Sequence, residues 1–169
     1  MSNHLIAVFD ISGSTMEYGK SRLLRNMART LRDITDVSFD YYSLSNELLK
    51  IEVTSDIPMF KPGEKLNLSL MADFIKKIPV AERASVIFFS DFGFSFKEAD
   101  ILKDVIRQNP NITLITVPCG IDAQTSIARY LSDLNFSADN VLLAADYAVS
   151  ALDGLLLKQY GKFSEIGTY

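Results

Sequence analysis

The chain has 169 residues and a formal net charge of −4, a balance that argues against a general nucleic-acid or anionic-membrane binder. Hydrophobic residues make up 48% of it, enough for one sizeable buried core and too many for a disordered chain. Cys119 is the single cysteine, which excludes an internal disulfide and a multi-cysteine zinc site. The basic residues are scattered, and no apolar stretch approaches the ~18 residues of a membrane span. The first residues lack a basic segment ahead of a long apolar one. The expectation is therefore no nucleic-acid partner, no membrane partner and a cytoplasmic location.

In chain order, Leu5–Phe9 is a short apolar run of strand length. Leu24, Met27, Ala28 and Leu31 recur at three- and four-residue steps and predict a helix. Val37–Ser43 and Leu48–Val53 read as strands joined by only Leu44–Glu47, too short for a crossover, so they form an antiparallel hairpin. Met71, Phe74, Ile75 and Ile78 mark the next helix, and Val86–Phe89 the next strand. Ser95-Phe96-Lys97-Glu98 has the form of a capping box ahead of the helical Leu102, Val105 and Ile106. Ile112–Val117 is a strand, and Asp122 stands as N-cap to a helix carrying Ile127, Ala128, Leu131 and Leu134. Val141–Ala144 reads as a sixth strand, followed after Asp146 by a helix with Val149, Leu152, Leu155 and Leu156.

This alternation predicts a single α/β domain over residues 1–169. It is three-layered and doubly wound, with a mostly parallel six-stranded sheet and one antiparallel edge strand, a Rossmann-like arrangement. Ligands of such sheets bind beyond the carboxyl ends of the strands, where the strand order reverses. A strand order of 3-2-1-4-5-6 makes neighbours of the loops that start at Asp10 and Ser90.

The first of these loops, in "FDISGSTMEYGKS", admits three chemistries. A phosphate-binding P-loop needs a glycine five positions before Gly19, where Ser14 stands, with Gly13 one position early. Asp91 in "VIFFSDF" would be its Walker-B acid. An aspartyl phosphatase of the haloacid-dehalogenase type needs a second acid two residues after Asp10, where Ser12 cannot act as acid or base at neutral pH. A metal site fits better. Asp10, Ser12 and Ser14 form D-x-S-x-S at a strand tip, hard oxygen donors that suit Mg²⁺, with Asp91 as a second carboxylate.

At this point the chain resembles the von Willebrand factor A (vWA) domain family. "FDISGST" is similar to the first segment of that family's metal-ion-dependent adhesion site (MIDAS), and "FFSDFG" to the segment that supplies its third-loop Asp. The resemblance implies a vWA-like fold over nearly the whole chain. It implies that Ser12 and Ser14 bind the ion directly, with Asp10 and Asp91 bound directly or through water. The family's second-loop Thr falls at Leu66 in "KPGEKLNLSLMADF", where Asn67 and Ser69 are the nearby oxygen donors. The metal set is therefore Asp10, Ser12, Ser14, Asp91 and Asn67, and the ion Mg²⁺, or Mn²⁺ or Ca²⁺. Lys65 is close enough in sequence for its ammonium to replace the cation altogether.

Plainer roles stand beside these. Asp10 also suits a loop acid that caps the following turn, and Ser12 and Ser14 suit loop serines that only satisfy backbone groups. Asp91 also suits a turn before Gly93, Lys20 a solvated position, and Cys119 a buried inert thiol. Phe92, Phe94 and Phe96 pack under the next helix or form an aromatic rim to the site. His4, the only histidine, begins the first strand, about 17 Å from its tip, and is a poor general base there. The expected function is a non-enzymatic binding module that captures a partner's Asp or Glu through the metal. The resemblance implies a protein partner such as an ATPase- or kinase-linked assembly. The alternative is a P-loop or phosphatase-like enzyme acting on a phosphorylated ligand.

Overall fold

The structure, a computed structural model, describes residues 3–13, 19–33, 37–53, 65–154, 158–159 and 162–163. Strand β1 (Asn3–Asp10) leads to helix α1 (Lys20–Asp33), then the hairpin β2 (Asp40–Leu44) and β3 (Leu48–Ile51). Helix α2 (Leu68–Lys76), β4 (Arg83–Ser90), α3 (Phe96–Gln108), β5 (Ile112–Pro118), α4 (Thr125–Leu131), β6 (Leu134–Asn135) and α5 (Val141–Leu152) follow. Two further short strands, β7 (Lys158–Gln159) and β8 (Lys162–Phe163), pair with each other.

The main sheet runs β3-β2-β1-β4-β5-β6, and only the β2–β3 pairing is antiparallel. The edge hairpin is as expected, and β1 and β4 are neighbours as in the order 3-2-1-4-5-6, but a different segment supplies the sixth strand. β4 and β5 are buried over nearly their whole length and β1 from Ile6 to Asp10, which is why they read as continuous apolar runs rather than alternating ones. Alternate residues divide between two cores. Phe9 and Phe89 lie opposite each other in register and stack at 4.7 Å, packed with Leu24, Met27 and Leu31 of α1 and Ala144 and Ala148 of α5. Val8 and Phe88 face the other way, towards Met71 and Ile75 of α2, Leu102 of α3 and Leu131 of α4. Among the described residues no helix is long and apolar enough to cross a membrane.

Two element assignments are corrected. Val141–Ala144 is the first turn of α5, not a strand. A four-residue apolar run has no period of its own, but Val141, Ala144, Ala145, Ala148 and Leu152 share a buried helical face. The sixth strand is Leu134–Asn135, so Leu134 leaves the helix to which its spacing assigned it. Two residues are too few to show a strand pattern in sequence. The expected capping box is present in full at Ser95 and Glu98. Leu155 and Leu156 lie outside the described residues.

Candidate metal centre

The site grows out of the register of β1 and β4. Phe9 pairs with Phe89, so Asp10 and Ser90 leave the sheet side by side. Ser90 Oγ donates to Asp10 Oδ2 at 2.6 Å, and the Ser12 N–H donates to Oδ1 at 2.9 Å. Asp10 is buried, and among the described residues no cation pairs with it. Burial raises its pKa above the usual carboxylate value. The hydrogen bonds from Ser12 and Ser90 work against that rise, and the charge of Asp91 adds to it.

Ser90 has a second task. Its Oγ accepts the Phe92 N–H at 2.9 Å and so holds the next turn. Phe92 sits at φ +55°, the one non-glycine residue with positive φ among those described. A bulky side chain in that region is strained, and the strain is sustained by burial. Phe92 is fully buried between Phe88 and Phe94, at ring distances of 5.4 and 5.8 Å. The turn leaves Asp91 on a cavity wall, its Oδ1 accepting the Gly93 N–H at 3.0 Å.

Lys20 is not the solvated lysine its sequence position suggests. It is 2% exposed, and its ammonium donates to Asp91 Oδ2 at 3.0 Å and pairs with Asp122 Oδ1 at 2.7 Å. Desolvation pulls its pKa down, but the bonds to Asp122 and Asp91 outweigh it and leave the pKa raised. Asp122 is in turn held below its usual value, chiefly by Lys20. Asp122 is therefore not the cap of α4, whose N-cap is Gln124.

A cavity of about 550 Å³ opens over Asp10, Ser12 and Asp91. The start of α2 adds Leu66, Asn67 and Ser69 to its wall, and the α3 side adds Phe94 and Ile101. Asn67 Oδ1 caps α2 by accepting the Ser69 N–H at 3.1 Å, so this oxygen already has one partner. Lys65 also lines the cavity, but the ammonium that touches a site carboxylate is that of Lys20. Ser14 lies outside the described residues. Among the described residues no three His, Cys, Asp or Glu side chains cluster in a way that could hold a metal. Two carboxylates and the Ser12 hydroxyl lining one cavity are hard donors, and they fit a hard divalent ion rather than a thiophilic one.

The aromatic run divides three ways. Phe92 is core, Phe94 is on the cavity wall, and Phe96 is half-exposed against Tyr130. His4 bonds Glu82 at 2.8 Å at the far end of β1. Cys119 is buried beside Met27, and burial pushes its thiol pKa far up. Sequence reasoning missed Lys20, Ser90 and Asp122. For Lys20 a signal existed: it continues the stripe Leu24, Met27, Ala28 and Leu31 back by four residues, and all five are buried.

No protein-family model and no curated protein matches the sequence. Solved structures do match the fold. It is similar to the ArnB paralog VWA2 from Sulfolobus acidocaldarius, with 19% identity and a TM-score of 0.63, over 84% of this chain and 43% of that one. It is similar to the manganese-loaded TRAP protein of Plasmodium vivax, with 13% identity and a TM-score of 0.59, over 85% of this chain and 71% of that one. Proximal thread matrix protein 1 from the mussel byssus, with a zinc-occupied MIDAS motif, is 12% identical at a TM-score of 0.52, over 87% of this chain and 44% of that one. The chain thus spans less than half the length of the first of these. Its fold is vWA-like.

Proposed function

We propose that this domain is a non-enzymatic protein-binding module that captures an acidic side chain of a partner through a divalent ion. Asp10, Ser12, Ser14 and Asp91 hold the ion, and Asn67 offers a further oxygen where the vWA pattern has a Thr. The ion is Mg²⁺, Mn²⁺ or Ca²⁺. The observation that carries this reading is that Asp10 and Asp91 line one cavity, with Asp10 buried among neutral donors. Two acids so placed repel each other, and a cation between strand tips relieves that repulsion.

When bound, the ion supplies a positive position to which a partner's carboxylate can attach. The protein's own groups do the rest. Ser90 and the Ser12 N–H fix the Asp10 carboxylate, and Gly93 and Lys20 fix that of Asp91. Phe94, Leu66 and Ile101 give the cavity an apolar flank, which suits an apolar side chain next to the captured acid. The metal-loaded states of the TRAP and byssus proteins lend support by likeness of fold. A partner in an ATPase- or kinase-linked assembly, and a cytoplasmic setting, belong to the same proposal. The placement of His4 and Cys119, one paired at the far end of β1 and one buried, supports a non-enzymatic role.

Titration of the 169-residue chain with Mn²⁺, by calorimetry and electron paramagnetic resonance, tests the site. Wild type should bind one ion, and Asp10→Ala should bind it more than about 100-fold more weakly while keeping a cooperative melt. Equal binding by the folded variant would overturn the proposal. Turnover of ATP or an aryl phosphate would favour the enzyme reading instead.

A further inference from the structure

Lys20 is a buried ammonium held in a prepared seat behind the site. Its side chain is 1% exposed, yet it is not on the wall of the cavity that Asp91 lines. It comes from α1 and meets Asp91 Oδ2 from outside that cavity. Gly120 makes the room. A Cβ there would stand 2.6 Å from Lys20 Cε and 3.2 Å from Cδ, and φ is +101°, a conformation that favours glycine. Asp122, whose side chain is 51% exposed, holds the other side of the ammonium at 2.7 Å. Lys20 thus bridges Asp91 and Asp122, and Asp91 in turn shares its cavity with Asp10.

We propose that Lys20 is a tethered counter-cation that sets the ion affinity of the site, and that Asp122 tunes it by sharing the ammonium with Asp91. This rests on the metal-binding reading above. An ammonium on Oδ2 withdraws charge from Asp91, whose Oδ1 accepts the neutral Gly93 N–H. Lys20 also repels a second cation nearby, so it weakens ion binding and keeps the ion-free fold neutral enough to be stable. Asp122 draws Lys20 away from Asp91. Removing its charge strengthens the hold of the ammonium on Asp91.

The experiment is a double-mutant cycle read by Mn²⁺ titration. Lys20→Met should bind Mn²⁺ about tenfold more tightly than wild type. Asp122→Asn should bind it about three- to tenfold more weakly, and this effect should vanish in the Lys20→Met background. A merely structural Lys20 would not give effects of opposite sign. Unchanged or weaker binding by a folded Lys20→Met protein overturns the inference and leaves the metal site standing. So does an Asp122→Asn effect of equal size in both backgrounds, since Asp122 would then act without Lys20. Binding by Lys20→Met but not by wild type supports the inference in its strongest form. Failure of every protein to bind Mn²⁺ sinks this inference and the metal reading together. Should Lys20→Met not fold, Lys20→Gln replaces it in the same cycle: tighter Mn²⁺ binding, with the Asp122→Asn effect lost, supports the inference, and unchanged or weaker binding, or an Asp122→Asn effect of equal size in both backgrounds, overturns it.

Discussion

Asp10 and Asp91 stand at neighbouring strand tips and line one cavity, yet they are held in opposite ways. Asp10 is held by an N–H and by serine hydroxyls, none of which carries charge. Asp91 is held by an ammonium. Neutral donors fix a carboxylate's position and leave its charge in place, whereas an ammonium fixes position and neutralises charge as well. The first arrangement keeps an acid ready for a cation; the second keeps an acid stable without one. On the metal-binding proposal, the pair divides two tasks, affinity for the ion and survival of the ion-free fold.

Four substitutions, measured by urea denaturation in chelator, sharpen this contrast. Asp91→Asn should cost most, about 2–3 kcal/mol, because it breaks the buried Lys20–Asp91 ion pair, and the remaining pair with Asp122 is half-exposed. A cost below about 0.5 kcal/mol would show that Lys20 does not neutralise Asp91. Ser90→Ala should cost about 1–2 kcal/mol, since it strips the buried Phe92 N–H of its acceptor and Asp10 of a donor. Ser95→Ala, a cap remote from both acids, should cost about 1 kcal/mol, and Mg²⁺ should not alter that figure. Asp10→Asn should cost least, under about 0.5 kcal/mol, or stabilise. It discharges a buried acid, Oδ1 still accepts from Ser12, and the Ser90 hydroxyl can rotate to accept. An Asp10→Asn cost equal to that of Asp91→Asn would erase the distinction between the two acids.

The fold was legible because its signals are periodic. The central strands are long enough to be buried on both faces, and the helical stripes recur over three or more turns. Where the signal is short it fails: two residues of β6 show no pattern, and the apolar start of α5 imitates a strand. The site was legible where one loop carries its own spacing, as in Asp10 and Ser12, and where the strand order brings Asp91 alongside. Lys20 was not, because a lysine's charge argues for solvent unless its countercharges are known. Those countercharges, Asp91 and Asp122, are 71 and 102 residues away, and only the folded sheet brings them to it.

Phe92 joins the same turn to the hydrophobic interior. Its ring belongs to the layer built by α2, α3 and α4, while its backbone aims the preceding carboxylate. Any substitution that lets this ring shift, such as a smaller residue in place of Phe88, re-aims a charged group several ångströms distant. On the binding proposal, packing on that layer is a dial on ligand capture, one that evolution or engineering could turn without touching a single polar side chain.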